Sequence, residues 1–249
     1  MFVAVWIIYA ADRLLDARIL DNRSSAILPD IEERHRFHHR HRNRFFVFVI
    51  LASVTLVVLL HRIDPQALYL YALLATLLGG WLLLIHARPL PSGTTRRLPK
   101  ELAVGIFFPA AIFIPTVARL PLLQPALLPA AALLASVCTL NCLFLYAWEH
   151  PAPRLHAHWT TRWATAHLAQ LACATLVITS LLLFTSALHA HNILCLTPAP
   201  ALACIFSVSS LLWLNTHRHS VSSIHLRALA DVALLTPLVL LPVLPLFAR

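Results

Sequence analysis

Apolar stretches, most of them long enough for a helix to cross a hydrocarbon core of about 30 Å, follow one another along this 249-residue chain with only short polar segments between them. Inside lipid no water is present to satisfy backbone N–H and C=O groups, so a chain of this kind folds as helices or as a closed barrel. The runs are continuously apolar and do not alternate residue by residue, which selects helices. Spans are expected at about 1–16, 45–60, 67–86, 101–118, 123–147, 163–187, 193–214 and 228–247. No polar stretch is large enough for a soluble domain. The expectation is therefore an all-α polytopic transmembrane bundle of about eight spans, with 1–249 a single integral membrane domain. Composition agrees: 59% of residues are hydrophobic, 12% are charged, and the mean hydropathy is +0.77.

The net charge of +9 would raise nucleic-acid binding for a soluble chain. Here the positions of the charges give a better account. With eight spans, one side of the membrane receives Arg13, Arg18, Arg23, Arg34, Arg36, Arg40, Arg42 and Arg44. The next loops on that side add Arg88, Arg96, Arg97 and Lys100, then Arg154 and Arg162, then Arg218 and Arg227. The other side receives Arg62, Arg119 and Arg249. Basic residues mark cytoplasmic loops, so the bias puts both termini outside and predicts a multi-pass protein of a bacterial inner membrane, with no nucleic-acid partner. All the acids except Asp64 fall on or near the cytoplasmic side. Carboxylates contribute little to topology, so their asymmetry points either to pairing with the arginines or to a site facing the cytoplasm.

The first apolar run lacks a basic leader and ends in Asp12, Arg13, Asp16 and Arg18, so it is expected to be a span and not a cleaved signal. Met1 is the sole methionine, which leaves open a misplaced start or the loss of an earlier helix. Cys138, Cys142, Cys173, Cys195 and Cys204 lie in or beside apolar segments with no CxxC spacing, and are expected to pack as small residues. Pro109, Pro115, Pro125 and Pro129 fall within the fourth and fifth spans. Pro125 and Pro129 lie near the start of the fifth; a proline inside a helix frees a carbonyl that a neighbour or a cavity water must satisfy.

Four segments hold side chains with chemical potential. In Tyr9-Ala10-Ala11-Asp12-Arg13-Leu14-Leu15-Asp16, two carboxylates stand at i and i+4, on one helix face at the cytoplasmic end of a span. Carboxylates at that depth are costly and point to a metal or proton role; the competing account is pairing of Asp12 with Arg13 or Arg18 near the headgroups. The loop from Asp21 to Arg44, rich in His and Arg, suits a diphosphate or an anionic headgroup and is expected to lie on the membrane surface. Arg96, Arg97 and Lys100, the only lysine, stand on the same side, where they serve either as flanking charge or as stabilisers of a phosphate leaving group. Lastly, Asn141 is a polar group deep in an apolar helix that must find a partner, and Glu149 closes that helix beside Trp148.

Taken in order and sidedness, the Asp12/Asp16 pair, the basic loop, the Arg96-Arg97-Lys100 segment and the Asn141-to-Glu149 segment resemble the UbiA superfamily of membrane prenyltransferases. Members have nine helices with Asp-rich motifs after the second and sixth; a chain lacking the first helix carries them after its first and fifth, as here. The resemblance implies Mg²⁺-dependent transfer of an isoprenoid chain from a prenyl diphosphate to a small-molecule acceptor. Asp12 and Asp16, with Glu149, would hold the metal, and Lys100 with Arg97 and Arg96 would stabilise the departing diphosphate. Tyr9 and Asn141 would contact substrate. The second motif is reduced to Glu149, which leaves a second Mg²⁺ short of ligands. Two other functions compete: a non-catalytic lipid-binding or assembly protein on the same scaffold, and a small-solute transporter using Asp12, Asp16 and Asp231 as a proton path. The absence of a visible internal repeat counts against the transporter.

Overall fold

The computed structural model describes residues 41–87, 100–120, 124–150, 158–188 and 198–236, together with positions 3, 4, 6, 7 and 10. Regular structure among the described residues is helical, with no strand. The helices with defined bounds are α1 (Arg42–Leu60), α2 (Pro65–Ala87), α3 (Lys100–Arg119), α4 (Gln124–Glu149), α5 (Trp159–Ala166), α6 (Leu168–Leu188), α7 (Pro198–Thr216) and α8 (Ser223–Ala233). Six of these, α1 to α4, α6 and α7, are long and apolar enough to cross a membrane. They coincide with six of the eight expected spans. The first expected span lies largely outside the described residues, as does most of the last.

The sequence explains where several helices start. Asp64 is the N-cap of α2: its Oδ1 accepts from the backbone N–H of Gln66 at 2.9 Å and of Ala67 at 3.4 Å, and Pro65 follows at the position where a missing N–H costs nothing. Ser222 caps α8 by accepting from His225 N. The hydroxyls within the spans mostly turn back on their own helix, as Ser53 does to Val49 O and Thr175 to Leu171 O, so each is satisfied without a partner helix.

Packing divides the chain into two compact units, Met1–Leu70 and Tyr71–Arg249. In the first, the apolar side chains of α1 are exposed around the helix, from Phe46 and Phe48 to Val54 and Val58, which fits a helix solvated by lipid. The second unit holds a tight core of Phe144, Thr179, Val208 and Leu211, with Ala172, Ala201 and Ala230 closing it. Here α7 is the hub, packed against α4, α6 and α8, while α3 packs along α4. Gly105 makes the α3 and α4 approach possible: a Cβ there would meet Thr139 Oγ1 at 1.9 Å and the Ala135 carbonyl at 3.1 Å.

Pro115 sits inside α3 and cannot donate to the carbonyl of Ala111 four residues back. The Tyr71 hydroxyl donates to that carbonyl instead, at 3.1 Å. The helix runs unbroken through both Pro109 and Pro115.

Two expected boundaries are corrected. The sixth span was expected from residue 163, but the segment Trp159–Ala166 is a separate short helix and the span begins at Leu168. His167 adopts φ −112°, ψ 22°, and its N–H is shared between the Trp163 and Ala164 carbonyls, which ends α5. The last span was expected from 228, whereas α8 starts at Ser223 and ends at Ala233 before a turn at Leu234. Its end is tied to α7: Ser207 Oγ donates to the Ala233 carbonyl at 2.7 Å, and Thr236 Oγ1 contacts both Ser207 Oγ and the Ala203 carbonyl.

Candidate functional site

The polar side chains of the Tyr71–Arg249 unit gather where α4 and α7 end and α3, α5 and α6 begin. That these ends coincide follows from three contacts. Trp148 Nε1 donates to Asn215 Oδ1 at 3.0 Å, which places the C-terminal turns of α4 and α7 side by side. Thr179 of α6 meets Cys204 of α7 at 3.4 Å, midway along an antiparallel pair. Thr161 of α5 donates to Glu101 Oε2 of α3 at 3.2 Å.

Asn141 is buried, with 4% of its surface exposed. Its amide lies near the carboxylate of Asp231 on α8. Among the described residues its Oδ1 has no hydrogen-bond partner. A buried amide carbonyl without a donor costs about 1 to 3 kcal/mol. Cys142, the next residue, lies within electrostatic reach of both Glu101 and Asp231. One turn before Asp231 on α8, Arg227 lies within electrostatic reach of that carboxylate and forms an ion pair with Glu149, the last residue of α4.

Of the candidate site residues singled out from sequence, the structure describes the side chains of three, Asn141, Glu149 and Asp231. Asn141 lies near Asp231. Glu149 is engaged by Arg227. Lys100 opens α3 with its side chain outside the described part, and Tyr9, Asp12, Asp16, Arg96 and Arg97 lie outside the described residues. No group of three His, Cys, Asp or Glu side chains able to hold a metal ion occurs among the described residues.

Sequence reasoning missed Thr161 and Arg227 as members of this cluster. A signal for the second was available: a Ser222 cap starts a helix at 223 and puts Arg227 and Asp231 at i and i+4 on one face. No family model matches the chain, and no curated protein or solved structure matches it.

Proposed function

We propose that this multi-pass membrane protein is UbiA-like and transfers an isoprenoid chain from a prenyl diphosphate to a small-molecule acceptor at the cytoplasmic face of a bacterial inner membrane. The observation that carries the reading is the Asp12/Asp16 pair, four residues apart in the sequence at the end of an apolar run and followed two expected spans later by Arg96, Arg97 and Lys100. In this reading the bond between the prenyl C1 and the diphosphate oxygen breaks with its electron pair leaving on oxygen, and the two arginines and the lysine take up that charge. The acceptor supplies the electrons for the new bond to C1 and gives up a proton. Mg²⁺, when bound, would neutralise the diphosphate, and Asp12, Asp16 and Glu149 would hold it in this proposal.

The Glu149–Arg227 pair favours a second reading, in which the same scaffold binds a lipid diphosphate without turning it over, the one carboxylate of the second motif being paired with an arginine. One experiment addresses both. Purified protein is titrated with Mg²⁺ and farnesyl diphosphate, and diphosphate release is followed in the presence of candidate acceptors. Metal-dependent binding that Asp12→Ala abolishes supports the site, and release then distinguishes catalysis from binding. Equal binding by wild type and Asp12→Ala would end both readings.

A further inference from the structure

Three helices of the Tyr71–Arg249 unit bring a hydrogen-bond acceptor to one level. The consecutive helices α3 and α4 pack along each other, with Gly105 of α3 facing Ala135 and Thr139 of α4. Glu101 stands eighteen residues before Arg119, where α3 ends, and Cys142 eighteen after Gln124, where α4 begins, so the two are level across the pair. On the other side of α4, Trp148 and Asn215 join the ends of α4 and α7. Leu140 and Ser207 each lie eight residues before those two, and Ser207 Oγ donates to the Ala233 carbonyl. That contact brings the end of α8, with Asp231, level with Asn141. The electrostatic neighbours agree, since Cys142 is within reach of both Glu101 and Asp231 and the Asn141 amide lies near Asp231.

The groups at this level call for donors and for positive charge. Asn141 is 4% exposed, and its Oδ1 has no hydrogen-bond partner among the described residues. Glu101 Oε2 accepts from the Thr161 hydroxyl, a neutral donor. Among the described residues neither Glu101 nor Asp231 is in an ion pair, because Arg227, within electrostatic reach of Asp231, is paired with Glu149. Cys142 supplies a weak donor and no positive charge. Carboxylates at membrane depth are costly and are compensated by a cation or serve a ligand. A primary ammonium matches the set, with one positive charge and three N–H donors that point in different directions.

The way in is visible on α8. Asp231 is exposed, and so are Ile224, Val232 and Leu235 of the same segment, a face suited to lipid. Asn141 forms the buried end of the path and Asp231 its outer end.

We propose that Glu101, Asn141 and Asp231 form a binding site for a primary ammonium group, which donates to the two carboxylates and to the Asn141 carbonyl oxygen. The site does not rest on the prenyl-diphosphate reading, whose ligand carries the opposite charge. The same chemistry is offered by the headgroup of phosphatidylethanolamine and by a free amine.

Two arms of one experiment distinguish these sources. In the first, the full-length chain is released from nanodiscs of equal phosphatidylethanolamine and phosphatidylcholine, and retained lipid is counted by native mass spectrometry. Both headgroups carry a cationic nitrogen, but that of choline has no N–H to donate, so a preference for phosphatidylethanolamine of about tenfold is expected. In the second, the unfolding midpoint in detergent is read with free ethanolamine or choline added. A lipid preference that excess ethanolamine leaves intact supports the site and makes the headgroup its ligand; a rise in midpoint with ethanolamine and not with choline supports it and makes the ligand a free amine. Glu101→Gln and Asp231→Asn keep size and shape and should each reduce the discrimination by about tenfold, and Asn141→Leu should reduce it as well. Asp64→Asn, which keeps a capping side chain on α2, should leave it unchanged. If Asn141→Leu fails to fold, the two conservative variants decide. No discrimination in either arm overturns the proposal, and so does undiminished discrimination in Glu101→Gln or Asp231→Asn.

Discussion

Arg227 of α8 and Glu149 at the end of α4 form an ion pair that ties the short helix after α7 to the helix at the unit's core, with 28% and 17% of the two side chains exposed. Because both partners are largely withdrawn from water, removing one leaves the other poorly compensated. Arg227→Met is expected to cost about 1 to 3 kcal/mol, read as a lowered unfolding midpoint in detergent. The exchange Glu149→Arg with Arg227→Glu should recover much of the loss. No recovery, together with no loss in the single variant, would show the pair to be energetically silent.

The Tyr71 hydroxyl has a specific job that a double-mutant cycle can isolate. Tyr71→Phe leaves the Ala111 carbonyl without its donor and should cost about 1 kcal/mol. Pro115→Ala restores an N–H four residues on, so in that background Tyr71→Phe should cost little. Equal costs in both backgrounds would mean that the hydroxyl does not serve the proline.

Gly105 admits no side chain at the α3 and α4 contact. Gly105→Ala should destabilise by about 1 to 3 kcal/mol, since the new methyl meets both Thr139 Oγ1 and a backbone carbonyl. Thr139→Ala added to it should relieve part of that cost, leaving the Ala135 carbonyl and the Cβ at position 139, each at 3.1 Å, as residual obstacles. A Gly105→Ala protein as stable as wild type would show that the helices can move apart freely.

Asn141 of α4 lies near Asp231 of α8, and a double-mutant cycle tests whether the two are coupled. If the buried amide donates to the carboxylate, Asp231→Leu should cost about 1 to 3 kcal/mol and Asn141→Leu in the same chain should regain most of it. Thermal unfolding of the two singles and the double decides the matter, and additive losses would count against the pairing.

The long spans were legible because lipid enforces a simple rule, a continuous apolar run of fixed minimum length, and α1 to α4, α6 and α7 obey it. The break at His167 was hidden because Trp163, Ala164 and Ala166 continue the apolar composition of α6, while the residue that ends the turn is neither Gly nor Pro. Asn141 announced itself as a polar group needing a partner. Asp231, which lies near it, stands ninety residues on and on another helix, a distance over which periodicity carries no information. The same holds for Glu101 and Thr161, brought together by packing and not by spacing.

The position of α7 as hub has a consequence for biogenesis. It emerges from the ribosome after α3, α4 and α6, yet Ala201, Val208 and Leu211 supply the buried surface against which α4 and α6 close. Those earlier helices must therefore wait in the bilayer with their inward faces open to lipid or to an insertion chaperone. Ribosome-stalled chains ending before Pro198 should accordingly be far more protease-sensitive than chains stalled after Thr216.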